Sequence, residues 1–135
     1  MEERINDKIG EIEGFVSDLA EMLPGSLEDY IANKEKRAAC ERYFEKIVEA
    51  LTDLAFFIIK SNRMPNPKDD EGAFLILAQK GVITEELAKR LKQAKGMRNF
   101  ISHEYGKVDD ELVFEALSGE LEKDTMEFLD AVREK

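Results

Sequence analysis

The residue types that can do chemistry are concentrated in one short segment, residues 96–106. It contains the only histidine of the chain, His103, with Arg98 and Asn99 shortly before it and Tyr105 shortly after it. An arginine presents a planar, permanently charged fork that fits phosphate oxygens, and a histidine can take up or release a proton near neutral pH. This combination fits cleavage of RNA, because RNA carries its own nucleophile, the 2′-hydroxyl, and needs charge stabilisation and proton transfer.

The spacing of these residues limits how their side chains can meet. Asn99 and His103 are four residues apart, so on a helix they share one face, and an amide there could fix which imidazole nitrogen carries the proton. Arg98 and His103 are five apart, which on an ideal helix separates them by about 140° around the axis and ~7.5 Å along it. For both to reach one ligand, the helix must end or distort near His103, or the Arg98 side chain must curl around it.

Cleavage through the 2′-hydroxyl is easiest with two histidines, a base for the nucleophile and an acid for the 5′-oxygen leaving group, and this chain has one. A two-fold dimer would supply the second, because an isologous contact brings the same patch of both protomers together. We therefore expect a catalytic site here to be shared by two subunits. On the residues alone a structural role stays open, since a lone histidine near a helix end commonly satisfies a backbone carbonyl.

Charge is distributed unevenly along this acidic chain. Its 20 basic and 30 acidic residues give a net charge of −10, which argues against a surface that binds nucleic acid throughout. Residues 87–107, by contrast, hold six basic residues and one acidic residue. Lys95 and Lys107 lie near His103 and are candidate contacts for RNA phosphate. The alternative is a solvated helix face whose lysines pair with acidic neighbours.

Length and composition point to one globular domain spanning residues 1–135. No apolar run approaches the ~18 residues that a membrane-spanning helix needs, and the acidic N-terminus is unlike a secretory signal. The single cysteine, Cys40, excludes an internal disulfide framework and a multi-cysteine zinc site. We expect a cytoplasmic protein with no membrane contact, no bound metal and no cofactor.

Apolar residues recur at helical spacing nearly throughout, and none alternate as in a strand, so we predict an all-α, single-domain antiparallel bundle of about five to seven helices. A first helix ends at Pro24-Gly25, a short helix follows Ser26, and the longest helix covers about residues 34–61. Asp70 is predicted to cap the next helix, which has Phe74, Leu75 and Leu77 facing inward. Thr84 is predicted to cap the helix that carries His103. Two last helices cover about 109–117 and 120–133, separated by Ser118-Gly119.

The longest predicted helix is apolar on more than one side. Phe56, Phe57 and Ile59 add apolar surface outside its main apolar face. Such a helix is central to its domain or is covered by another chain. This excess is a second indication of a homodimer.

The stretch Arg98-Asn99-Phe100-Ile101-Ser102-His103 resembles the R-x4-6-H motif of the HEPN superfamily, with a four-residue gap and a polar residue directly after the arginine. With Tyr105 it resembles the R-x4-H-x-Y form of the HepT-like toxins. The likeness extends to the opening helix, the long central helix, and residues 73–83 and 108–113. It therefore covers nearly the whole chain and identifies it as a HepT-like HEPN helical domain.

The resemblance implies a homodimeric, metal-independent ribonuclease in which Arg98 and His103 are the catalytic pair and Asn99 is a polar helper. It also implies that the protein is the toxin of a type VII-like toxin–antitoxin system and that its substrate is RNA, either tRNA or mRNA. Its partner would be a nucleotidyltransferase antitoxin that transfers AMP to Tyr105. A nucleotide there would place negative charge and bulk where RNA phosphate must bind.

The chain departs from the family pattern at Gly106, where a bulkier, often aromatic residue is expected; this removes one potential base-stacking contact. Its acidic net charge favours local action on single-stranded or looped RNA. The competing hypothesis is a non-catalytic helical dimer that binds nucleotides or acts as a scaffold for a nucleotidyltransferase. A purely structural bundle is the third.

Overall fold

The structure, a computed structural model, describes residues 2–103 and 109–134, without the side chains of residues 70, 71 and 100–103. Within these ranges every regular element is helical, which confirms the predicted all-α class. The helices are α1 (Glu3–Met22), α2 (Leu27–Ala32), α3 (Lys34–Ser61), α4 (Asp70–Gln79), α5 (Glu85–His103), α6 (Asp110–Glu115) and α7 (Leu121–Arg133). None of these helices is long and apolar enough to cross a membrane.

Hydroxyl side chains fix the starts of α2 and α5. The Ser26 Oγ accepts a hydrogen bond from the Asp29 N–H at 3.1 Å, and the Thr84 Oγ1 accepts one from the Leu87 N–H at 3.0 Å. Each satisfies a donor that the first helical turn leaves unpaired. Both predicted helix starts are confirmed.

The start of α4 differs from the prediction by one residue. Asp69, and not Asp70, is the capping residue, and its Oδ1 accepts from the Gly72 N–H at 2.8 Å. The side chain of an N-cap must reach the third residue of the helix from just outside it. Because Asp70 already has helical backbone geometry, the preceding aspartate has the position that this contact requires.

The long helix α3 is the centre of the molecule, in contact with α1, α2, α4 and α5. Ile59, which the pattern leaves outside the main apolar face, is only 2% exposed. Phe56 and Phe57 are partly buried against the same core. The second apolar side of α3 is thus largely covered within the chain, and it no longer indicates a second subunit.

The inward face of α4 was predicted incorrectly at one position. Phe74 and Leu77 are buried as expected, but Leu75 is 55% exposed. Residues 73–78 are all apolar, so the pattern carries no amphipathic period that distinguishes the core side from the outer side.

The chain bends between α6 and α7, as the Ser118-Gly119 pair predicted. Segment Ala116–Glu120 joins the two helices, and Gly119 has a φ of +144°. An L side chain rarely adopts such a backbone, whereas glycine adopts it without a Cβ clash. The bend returns α7 to α5, where it packs against the helix that carries the predicted site.

Candidate functional site

Four of the predicted site residues, Lys95, Arg98, Asn99 and His103, lie in the second half of α5. This helix packs against α3, α4 and α7, so the core fixes its position. Arg98 and His103 lie five positions apart in the same helix, a rise of about 7.5 Å along the axis.

The guanidinium of Arg98 is held from two sides. Its Nη1 donates to the Asn99 Oδ1 at 2.8 Å, and its Nη2 lies 3.4 Å from the Glu49 Oε1 of α3. The side chain is 21% exposed, so it is mostly covered yet open to solvent on one side. Its Nε is buried and has no hydrogen-bond partner among the described residues.

Glu49 is a residue that sequence reasoning did not identify. Its side chain is 49% exposed, and its Oε2 lies 4.0 Å from the Arg42 Nη1 on the same helix. The carboxylate therefore lies between two guanidinium groups, those of Arg42 and Arg98. No sequence signal marks it, because its contact with α5 depends on how two distant helices pack.

The basic residues of α5 do not form one solvated face. Arg90 is bound to α7, with its Nε 2.9 Å from the Asp124 Oδ1 and its Nη2 2.9 Å from the Glu127 Oε1. Lys95 is only 5% exposed. Arg90 is held by ion pairs with α7, and Lys95 is covered and not part of a solvated face.

The rest of the predicted constellation lies outside the described residues: Tyr105 and Lys107 entirely, and His103 in its side chain. Their roles, and the approach of the imidazole to the guanidinium, stay predictions. Among the residues that are described, no group of three or more His, Cys, Asp or Glu side chains is placed to hold a metal ion.

The Arg98 guanidinium keeps N–H donors beyond those that its two neighbours engage. A guanidinium has five N–H donors, and here Asn99 and Glu49 each engage one edge of the group. The Nε–H is buried, so an anion would be bound by the second N–H groups of Nη1 and Nη2, on the 21% of the side chain that is exposed. A partly covered arginine of this kind is suited to a phosphate oxygen, because water competes less there than on an open surface.

The sequence is similar to two curated nucleases. It is 32% identical over 98 residues to the tRNA nuclease HepT of Aphanizomenon flos-aquae, covering 73% of this chain and 67% of that protein. It is 29% identical over 89 residues to the mRNA nuclease HepT of Shewanella oneidensis, covering 66% of each. The aligned segments thus span about two thirds of the length of these relatives.

The fold is similar to that of a tri-AMPylated HEPN toxin of Shewanella oneidensis, solved in complex with an MNT antitoxin. The TM-score is 0.92 at 24% sequence identity, and the match covers 100% of both chains. A likeness at this identity shows the shared fold. The family model for HepT-like ribonucleases matches residues 5–132. The chain therefore belongs to the HepT-like ribonuclease family.

Proposed function

We propose that this protein is the toxin of a toxin–antitoxin pair and cuts RNA with Arg98 and His103. Membership in a ribonuclease family supports the activity, and relatives named for tRNA and mRNA cleavage support RNA as the substrate class. The observation that carries the proposal is the environment of Arg98. Its mostly covered guanidinium is held between Asn99 and Glu49, five residues before the only histidine.

In this mechanism Arg98 binds the scissile phosphate and stabilises the negative charge that builds on it. His103 removes the proton of the 2′-hydroxyl, whose oxygen bonds to phosphorus while the bond from phosphorus to the 5′-oxygen breaks. The partner subunit's His103 protonates that leaving oxygen. The products are a 2′,3′-cyclic phosphate and a 5′-hydroxyl, and no metal is required because the substrate supplies the nucleophile.

The same proposal assigns the remaining predicted residues. Asn99 is the polar helper, and its contact with the Arg98 Nη1 supports a role in orienting the guanidinium. Lys95 and Lys107 are proposed to contact RNA phosphate, Lys95 through an ammonium that is largely covered in the single chain. The functional unit is a homodimer in the cytoplasm.

Tyr105 is the proposed target of AMP transfer by a nucleotidyltransferase antitoxin. The solved relative of similar fold is named as a tri-AMPylated toxin in complex with an MNT antitoxin, which supports this regulation. Tyr105 lies two residues after His103, so an added nucleotide would bring phosphate charge toward Arg98. That charge would occupy the anion site and repel RNA.

Cleavage is tested with purified protein that mass spectrometry shows to be free of AMP. We expect it to cut tRNA or mRNA and to leave cyclic phosphate ends. Intact RNA would contradict the proposal, and if the protein still bound a nucleotidyltransferase, the non-catalytic scaffold would replace it.

Modification is tested by incubating the protein with ATP and a nucleotidyltransferase antitoxin of the kind that the proposal requires. The intact mass should rise by AMP units in the wild type and stay unchanged in Tyr105→Phe. Equal modification of both proteins would move the target to another residue.

A further inference from the structure

We infer that Glu49 is a positioning residue for Arg98: its carboxylate holds the guanidinium in the orientation in which it meets the RNA phosphate. This role rests on the proposed ribonuclease function, and it extends the site to a second helix, α3. The contact that carries it joins the Glu49 Oε1 to the Arg98 Nη2 over 3.4 Å.

Arg98 requires an anchor outside its own helix. Arginine has a long side chain with many rotamers, so orienting its fork has an entropic cost. Asn99 is its direct neighbour on α5, and a single contact to Nη1 leaves the guanidinium free to turn. Glu49 approaches from α3, the central helix, and two acceptors on two helices together fix the plane of the group.

The buried Nε shows why the orientation has to be held. A buried donor without a partner is unfavourable, and a solvated arginine would satisfy it with water. Among the described residues the Arg98 Nε–H has no acceptor. The contacts with Glu49 and Asn99 therefore keep the side chain in a place that it would otherwise leave.

The surroundings of Glu49 limit its repulsion of RNA. Its side chain is 49% exposed, so water screens its charge, and its other oxygen faces the Arg42 Nη1 at 4.0 Å. Exposed ion pairs contribute little to folding stability. Substitution of Glu49 should therefore change the site and leave the fold intact.

The experiment compares cleavage by wild type, Glu49→Ala, Glu49→Gln and the control Asp53→Ala. Asp53 lies one turn further along α3 with a 57% exposed side chain, and it pairs with Lys8 at 3.6 Å. We expect Glu49→Ala to lower kcat at least about tenfold with little change in KM. Glu49→Gln should retain most activity, because its amide oxygen still accepts from Nη2, and Asp53→Ala should match the wild type.

Further measurements separate positioning from general damage. Glu49→Ala added to Arg98→Ala should cause no further loss, because the residue acts through Arg98. In NMR spectra the Arg98 Nε–H signal, assigned by its loss in Arg98→Lys, should be resolved in the wild type and Asp53→Ala and broadened in Glu49→Ala. Melting temperature and oligomeric state should be the same in the Glu49 variants and the wild type.

Cleavage by Glu49→Ala at or above the wild-type rate would overturn the role of Glu49 and leave the proposed ribonuclease standing. A wild type that cuts no RNA would defeat the ribonuclease proposal instead. In that case the Arg98 Nε–H signal still tests the positioning role of Glu49. A signal that is unchanged in Glu49→Ala would overturn that role.

Discussion

Arg98 was identified from its residue type and its spacing to His103, but its environment was not. The four-residue spacing allows Asn99 to contact the imidazole, which stays a prediction, and the structure shows the Asn99 Oδ1 accepting a hydrogen bond from Arg98 at 2.8 Å. Glu49 and the burial of Lys95 carry no sequence signal, because both follow from the packing of α5 against other helices. A sequence motif predicts which residues form a site, whereas tertiary packing decides their contacts.

Thr125 provides a stability prediction that depends on one buried hydroxyl. Its side chain in α7 is fully buried, and its Oγ1 has no hydrogen-bond partner among the described residues. Thr125→Val replaces this hydroxyl with a methyl group, so we expect the free energy of unfolding to rise by about 1 kcal/mol in chemical denaturation.

The matched control is Thr52→Val in α3. The Thr52 Oγ1 donates to the Val48 carbonyl at 2.9 Å, so its removal should bring no gain. A gain at Thr52 that equals or exceeds the gain at Thr125 would show that the unpaired hydroxyl is not the cause.

Helix boundaries were predictable where capping chemistry is local. Ser26, Thr84 and the Ser118-Gly119 bend all act within a few residues of sequence, and the structure places them as expected. Asp69 and Asp70 are chemically identical, so only backbone geometry distinguishes the cap. Leu75 was predicted to face inward because residues 73–78 are all apolar, and which side of α4 faces the core depends on its packing against α3 and α5.

Gly119 tests the bend between α6 and α7. Because its φ is +144°, alanine would be strained there, and we expect Gly119→Ala to lower the free energy of unfolding by about 1–3 kcal/mol. Thermal and denaturant unfolding measure this change.

Gly14→Ala is the control, since Gly14 lies inside α1 and a Cβ there would meet nothing within 4 Å. It should raise stability by about 0.5–1 kcal/mol. If both variants shifted stability equally, backbone strain at the bend would be ruled out as the cause.

The molecule carries a net charge of −10, so any RNA contact depends on a few placed cations. The excess apolar surface of α3 is largely buried within one chain, as the 2% exposure of Ile59 shows. The expectation of a dimer now rests on the resemblance and on the need for two histidines. Neither the burial pattern nor the composition predicts which surface would pair.

A homodimer predicts a native mass of twice 15.4 kDa in sedimentation or light scattering. The mass should persist at the protein concentrations used for RNA cleavage, because the proposed site takes one histidine from each subunit. Cleavage by a species that is monomeric under assay conditions would contradict the shared site.

The most direct measurement is the single-turnover rate of RNA cleavage by the wild type, His103→Ala and Arg98→Ala, with helicity and native mass verified for each. The account predicts that either substitution lowers the rate by at least about 10³-fold, since each removes a group acting in the transition state. If the wild type cuts RNA and His103→Ala cuts it at a similar rate, the account is contradicted.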